Sequence, residues 1–403
     1  MSVEWTEPPA PRLSVAARGE VLVGRLMPRL PPGMAVRLSG EPAVTADGRT
    51  LDAHVQLARS VRRRRGSHGL CEPSLDVARA RYRHETLVFQ WRRTPVARVR
   101  DGVIRGPGGP LRLRHYVPDG TGPAPLTVYL HGGGFTIGDL DTHDEPCRIL
   151  CREAGMHVLA VDYRLAPEHP FPAALQDATA ALRWAQAHAA ELGADPARVG
   201  IGGDSAGANL ATVIARETRG DAPPAAQLLI YPPTDGVTPR PSQALFGRGY
   251  FLDQADRDAF DGFYLGGTGV GLADPRVSPA YADDLSGMAP ALGVTAGFDL
   301  LRDEAEVYFD AMERAGTPVR RIHVPAHGHG FVHMTGVSPG AHAAMVRIAR
   351  AWREVILACP PYYEPARMGV HTARGERRTH EAGDIHVHAD CGHAEGSGSA
   401  AVR

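Results

Sequence analysis

Val199-Gly200-Ile201-Gly202-Gly203-Asp204-Ser205-Ala206-Gly207 runs from a short apolar stretch, through a serine set between glycines, into an alanine-rich segment that reaches Thr218. It reads as strand, turn and helix around Gly-x-Ser-x-Gly. A serine on so sharp a turn takes a strained backbone conformation, and a side chain at 203 or 207 would collide with neighbouring elements. Ser205 is thereby held clear with its hydroxyl exposed, as a nucleophile must be. A serine that merely caps the following helix is the plainer alternative. The buried strand before it and the second glycine after it weigh against that reading.

Outward from this turn, short β-branched runs alternate with alanine-rich segments. Strands are predicted over 96–104, 111–117, 126–130, 157–161, 199–202, 227–231, 292–296 and 319–324, and helices over 172–192, 206–218, 303–315 and 340–357. Such alternation predicts an α/β fold, a mainly parallel central sheet flanked by helices, with its site at the carboxyl ends of the strands. Residues 1–94 lack the alternation and read as irregular and partly helical, with helical spacing over 51–64 and 74–91. Beyond the last helix, 358–403 is poor in large apolar residues and rich in Gly, Ser, Glu and His, which predicts a disordered tail.

Three further segments carry chemistry. The run 126–130 leads directly into His131-Gly132-Gly133-Gly134-Phe135. Three consecutive glycines past a buried strand imply backbone that approaches something closely. In acyl transfer that object is an oxyanion, bound by the amides of Gly133, Gly134 and Ala206. A phosphate loop fits less well, because neither Gly-x-Gly-x-x-Gly nor a P-loop lysine is present. After the strand at 292–296, Asp299 stands in a loop and can reach the active face, whereas Asp303 is accounted for as a first-turn helix acid. After 319–324 come His327, His329 and His333, any of which could serve as the base that a serine requires. No His-Glu-x-x-His pattern accompanies them, so no metal is expected.

Composition bounds the rest. The 403 residues carry a net charge of -1, with 44 basic against 45 acidic residues, which offers no bulk field for nucleic acid. Every basic residue is arginine, which excludes lysine Schiff-base chemistry. Five cysteines form no paired framework, and no run approaches the roughly 20 apolar residues that span a bilayer. A reduced, cytoplasmic location without stable membrane insertion is therefore expected. Cys147 and Cys151 share one face of a predicted helix and read as buried thiols. The run Arg62 to Arg65 reads as a solvated helix end, with a lipid-surface contact as the alternative.

Taken together, His131 to Gly134, Gly203 to Gly207 and Asp162-Tyr163-Arg164-Leu165-Ala166-Pro167-Glu168-His169-Pro170 resemble the hormone-sensitive lipase family, the bacterial family IV esterases. The resemblance covers about 95–357 and implies an α/β-hydrolase fold. It implies Ser205 as nucleophile, Asp299 as triad acid and His329 as base, with Gly133, Gly134 and Ala206 as oxyanion amides. His131, Gly132, Gly203, Asp204 and Gly207 support these motifs. It further implies an N-terminal helical cap over 1–94 and a second cap piece at about 236–272. Leu300 stands where many members have proline, and Ala208 where many have glycine. Arg164 is expected to be ion-paired within a structural crossover, and Asp139, Asp141, His143 and Asp144 to be solvated loop and helix-start residues. The implied activity is hydrolysis of short- to medium-chain acyl esters of small molecules, with no cofactor. An amidase, formamidase or deacetylase would use the same residues; a non-catalytic binding protein of the same fold is the rival of another class. Sequence leaves a homodimer open.

Overall fold

Eight strands form one sheet: β1 (Arg98–Gly106), β2 (Gly109–Val117), β3 (Ala124–Leu130), β4 (His157–Asp162), β5 (Ala194–Asp204), β6 (Gln227–Ile230), β7 (Ala291–Phe298) and β8 (Val319–Gly328). Their spatial order is β8-β7-β6-β5-β3-β4-β2-β1. Pairing is antiparallel only at the β1–β2 and β2–β4 edges and parallel elsewhere. The computed structural model describes residues 3–9, 15–66, 69–71 and 74–359. The predicted tail lies outside these residues from 360 onward; Ala358 still belongs to the last helix.

The central strands are apolar along their whole length because both faces are covered. Leu126, Val128 and Leu130 of β3 face a core completed by α6 (Ala173–His188), α7 (Ala206–Glu217) and α10 (Arg302–Arg314). Tyr129 faces the other core, under α5 (Asp144–Ala154) and α11 (Pro339–Ala358). Thr127 on that face accepts a hydrogen bond from the Trp352 indole at 2.8 Å. Cys147 and Cys151 are buried there, as their shared helix face predicts.

Chain direction reverses about β3, whose neighbours are β4 and β5. The crevice at this switch point is where ligands bind in open α/β sheets. The loops after β3 and β5, which hold the triple glycine and Ser205, both open there.

The N-terminal stretch is more ordered than its sequence predicts. It forms α1 (Val15–Gly24), α2 (Pro32–Ser39), α3 (Ala53–Arg64) and α4 (Leu75–Phe89), with a two-stranded turn at 45–50. Thr6 also pairs with Asp101 on the β1 edge. Asp52 caps α3, accepting from the amides of His54 and Val55. Its own amide bonds the carbonyl of Ala326, which anchors α3 beside the end of β8. The insertion after β6 adds α8 (Pro241–Phe246) and α9 (Gln254–Leu265).

Candidate active site

Ser205 occupies the turn between β5 and α7 with φ 51° and ψ −123°, a region costly for a residue with a side chain. Glycine is obligatory on both sides. A Cβ at Gly203 would lie 2.1 Å from the Leu130 carbonyl oxygen, and one at Gly207 1.9 Å from the same atom. The turn therefore forms only where β3 and α7 can nearly touch.

The Ser205 hydroxyl lies 2.9 Å from His329 Nε2, and His329 Nδ1 lies 2.8 Å from Asp299 Oδ2. Asp299 is 1% exposed, and its other oxygen accepts from the Leu301 amide at 2.9 Å. The carboxylate fixes the tautomer in which Nδ1–H donates, leaving Nε2 free to accept the serine proton. Of the three histidines that sequence leaves open, only His329 makes both contacts. His327 turns toward Ser338, 3.4 Å away. His333, in a short 3-10 turn, lines the cleft and contacts Tyr82 and Gln90 at 2.9 and 2.8 Å.

The glycine loop faces the same point. Gly133 and Gly134 have φ of 116° and 58°, and added Cβ atoms would strike the Ile137 carbonyl oxygen and the Phe260 ring. The Gly132 amide is consumed by Asp204 Oδ1 at 3.1 Å and His143 Nε2 at 3.2 Å. By contrast, the amides of Gly133, Gly134 and Ala206 donate to no acceptor among the described residues. All three residues line the cleft with Ser205. His131 backs the loop, stacked on Tyr163 at 4.2 Å and bonded through Nδ1 to the Gly132 carbonyl; burial lowers its pKa to about 4.

Asp204 does more than complete a motif. It accepts from Tyr129 at 2.8 Å and Tyr231 at 3.3 Å as well as from Gly132, so it ties the nucleophile turn to the glycine loop. Burial opposes its ionisation, yet His143 and the Tyr129 hydroxyl outweigh this and hold its carboxyl well below the usual range. His143, Asp204 and His333 bring ligating atoms within 4.8 Å of one another, a donor set that could hold a metal ion. Each is engaged in the hydrogen bonds above, and His143 Nδ1 also meets the Thr142 hydroxyl at 2.9 Å.

Two expectations need correction. Asp144 does open α5, and Asp139 is partly exposed, but the group is not simply solvated: His143 is 1% exposed, Asp144 is buried, and Asp139 and Asp141 pair with Arg83. Buried Arg114 joins Asp141 to Asp101, each at 2.7 Å. These arginines come from distant positions, so local polarity misleads. Arg63, Arg64 and Arg65 are exposed at the end of α3 as expected, whereas Arg62 is not. It continues the buried stripe Val55 and Ala58 of α3, and that spacing in sequence was the available signal. The expected pairing of Arg164 is present, to Asp177 at 2.8 Å.

The cleft above Ser205 has a cavity volume of about 120 Å³ and opens to solvent. Its walls include Tyr82 and Phe89 of α4 and Phe260 and Asp261 of α9. Buried Arg257 bonds Glu304 at 2.8 Å and fastens α9 to α10. The chemistry open to this arrangement is attack by a serine hydroxyl on a carbonyl whose oxygen meets free amides.

A family model described as the alpha/beta hydrolase fold matches residues 127–333. The chain is 44% identical over 337 residues to carboxylic ester hydrolase LipN of Mycobacterium tuberculosis, a match covering 82% of this chain and 89% of that protein. It is 38% identical over 253 residues to ethyl acetate hydrolase of Pseudomonas putida, covering 61% and 79%. Among solved structures, the ester-hydrolase EH1AB1 from the metagenome of Lake Arreo, in complex with a bipyridine phosphonate derivative, superposes with a TM-score of 0.72 at 37% identity. That match covers 75% of this chain and 98% of that one.

Proposed function

The chain belongs to the alpha/beta hydrolase fold family, in the hormone-sensitive-lipase-like group of carboxylic ester hydrolases, and on that premise we propose that Ser205, His329 and Asp299 form its catalytic triad and that its substrates are short- to medium-chain acyl esters. Ser205 attacks the ester carbonyl as His329 Nε2 takes its proton. The amides of Gly133, Gly134 and Ala206 hold the oxygen as it becomes negative. His329, now charged and steadied by Asp299, gives the proton to the leaving alcohol. Water then adds to the acyl-enzyme with the same imidazole as base, and Ser205 is regenerated. Asp204 positions the glycine loop against the turn.

The observation that carries this reading is the unbroken chain from Asp299 Oδ2 through His329 to Ser205 Oγ at 2.8 and 2.9 Å. The N-terminal helices and the 236–272 insertion act as the cap, and a roofed cleft of bounded volume favours modest acyl chains over an oil interface. The relative named for ethyl acetate supports the short end of that range.

The test is a panel of 4-nitrophenyl esters and matching anilides with acyl chains of two to about sixteen carbons. Ester turnover falling off beyond medium length, with anilides much slower, is expected. Faster anilide cleavage would transfer the reading to an amidase, and activity rising at the solubility limit of a long-chain triglyceride would make it a true lipase.

A further inference from the structure

A second cavity, of about 320 Å³, lies among the N-terminal helices. Its lining is largely hydrocarbon, with Val23 of α1, Met27, Val61 of α3, Val88 of α4 and Val337, and also holds Glu20 and Arg65, which pair with each other at 3.1 Å. Arg62, Glu85 and Phe89 line both this cavity and the cleft above Ser205. These three side chains therefore stand between the two spaces.

The partition is built from a polar latch laid beside an aromatic ring. Arg62 Nε faces Glu85 Oε2 at 3.3 Å, and a terminal nitrogen of Arg62 donates to the Phe251 carbonyl at 3.3 Å. The Arg62 side chain is only 10% exposed, yet its Nε and Nη2 have no hydrogen-bond partner among the described residues. A guanidinium carries five donors, and one that is buried with donors unmet is held less firmly than a fully bonded one. The latch thus spans an otherwise apolar passage with incomplete bonding.

Resting on the esterase reading of the cleft, we infer that Arg62, Glu85 and Phe89 set the chain-length limit of this enzyme by closing the cleft off from the cavity behind them, which would take the distal hydrocarbon of a longer ester once they are removed. The lining suits an alkyl tail, carried on either the acyl or the alcohol side, and is unsuited to a sugar or a charged group. With the latch closed, a tail stops at Phe89. With it removed, each further methylene passes from water into an apolar lining.

The experiment uses Phe89→Ala and, separately, the double variant Arg62→Leu/Glu85→Leu, which removes both charges together so that neither is left buried alone. Rates are measured on 4-nitrophenyl alkanoates and on alkyl acetates, each from two to twelve carbons. In at least one series the ratio of kcat/KM for the twelve-carbon to the four-carbon substrate is expected to rise at least about tenfold. Val61→Phe supplies the control: Val61 lines only the second cavity and is half-buried, so the added ring takes up that space. Added to either opened variant, it should return the ratio to the wild-type value. An unchanged ratio in both series, from folded variants that still cleave short esters, overturns the inference and leaves the esterase reading intact. A gain that survives Val61→Phe in a folded variant also overturns it, since the tail would then lie elsewhere. If the wild type showed no Ser205-dependent ester cleavage at all, the esterase reading itself would fall.

Discussion

Around Ser205 the fit is between backbone atoms, whereas in the roof it is between side chains. Cβ atoms at Gly203 and Gly207 would approach the Leu130 carbonyl oxygen to 2.1 and 1.9 Å, and no rotamer change relieves a clash with main chain. In the roof, α3, α4 and α9 meet through side chains, among them Arg62, Glu85, Phe89, Phe251 and Phe260, whose contacts can change with rotamer or residue while the backbone stays in place. The difference teaches where chemistry and selectivity reside. On the proposed reading, the floor admits one arrangement and carries the reaction, while the roof admits many and selects the substrate.

The sharpest contrast within the floor is between two neighbouring histidines. His329→Ala should lower ester kcat by about 10³-fold or more. His327→Ala, whose imidazole turns to Ser338, should cost at most about tenfold. Saturated ester assays with melting curves on both variants make the comparison, and comparable losses at the two positions would break it. Next in size is Gly207→Ala, which has no room beside Leu130 and should lower soluble yield or turnover at least about 100-fold. Near wild-type behaviour would mean the floor is softer than its geometry.

The same contrast explains what could be read in advance. Where backbone conformation dictates residue type, the sequence is legible: the glycines about Ser205, the triple glycine after β3 and the loop acid Asp299 all announce themselves. His327, His329 and His333 cannot be separated that way, since all three follow one strand and differ in where their rings end up. The contacts with Ser205 at 2.9 Å and Asp299 at 2.8 Å distinguish His329. The roof was least legible. Asp139 and Asp141 look like solvent-facing acids until Arg83, from α4, is folded onto them. Arg62 looks like one of four equivalent arginines until α3 is set beside α4.

Acidity should act on three buried histidines and on a buried carboxyl of the roof with opposite sign. Burial, foremost, lowers the pKa of His115 to about 2, His131 to about 4 and His333 to about 3, so the folded state keeps them neutral. Below the ordinary value of 6.5 the unfolded chain takes up protons that the folded one refuses. Stability should then fall with decreasing pH, by at most about 1.4 kcal/mol per unit for each group. In the roof, burial raises Asp261 from 3.8 to about 6, so its contribution is lost as pH rises through that interval. Urea unfolding at pH 5.5 and 7.5 should show the net loss on acidification, and Asp261→Asn should stabilise the protein at both, by more at pH 7.5 than at pH 5.5. A flat profile would contradict both assignments.

The smallest expected effect is in the roof and of opposite sense to Gly207→Ala. Gly262 lies inside α9, and a β-carbon added there would meet nothing within 4 Å, so Gly262→Ala should raise stability by about 1 kcal/mol, readable as a higher Tm. A loss of stability there would erase the distinction between the two regions.

The most direct measurement is to treat the protein with a 4-nitrophenyl alkylphosphonate, weigh the intact chain and map the modified peptide. One phosphonyl group per chain, located on Ser205, absent from Ser205→Ala and formed far more slowly in His329→Ala, is expected if Ser205 is the nucleophile and His329 its base. Modification at another residue, or undiminished ester turnover after Ser205 has been fully modified, would contradict it.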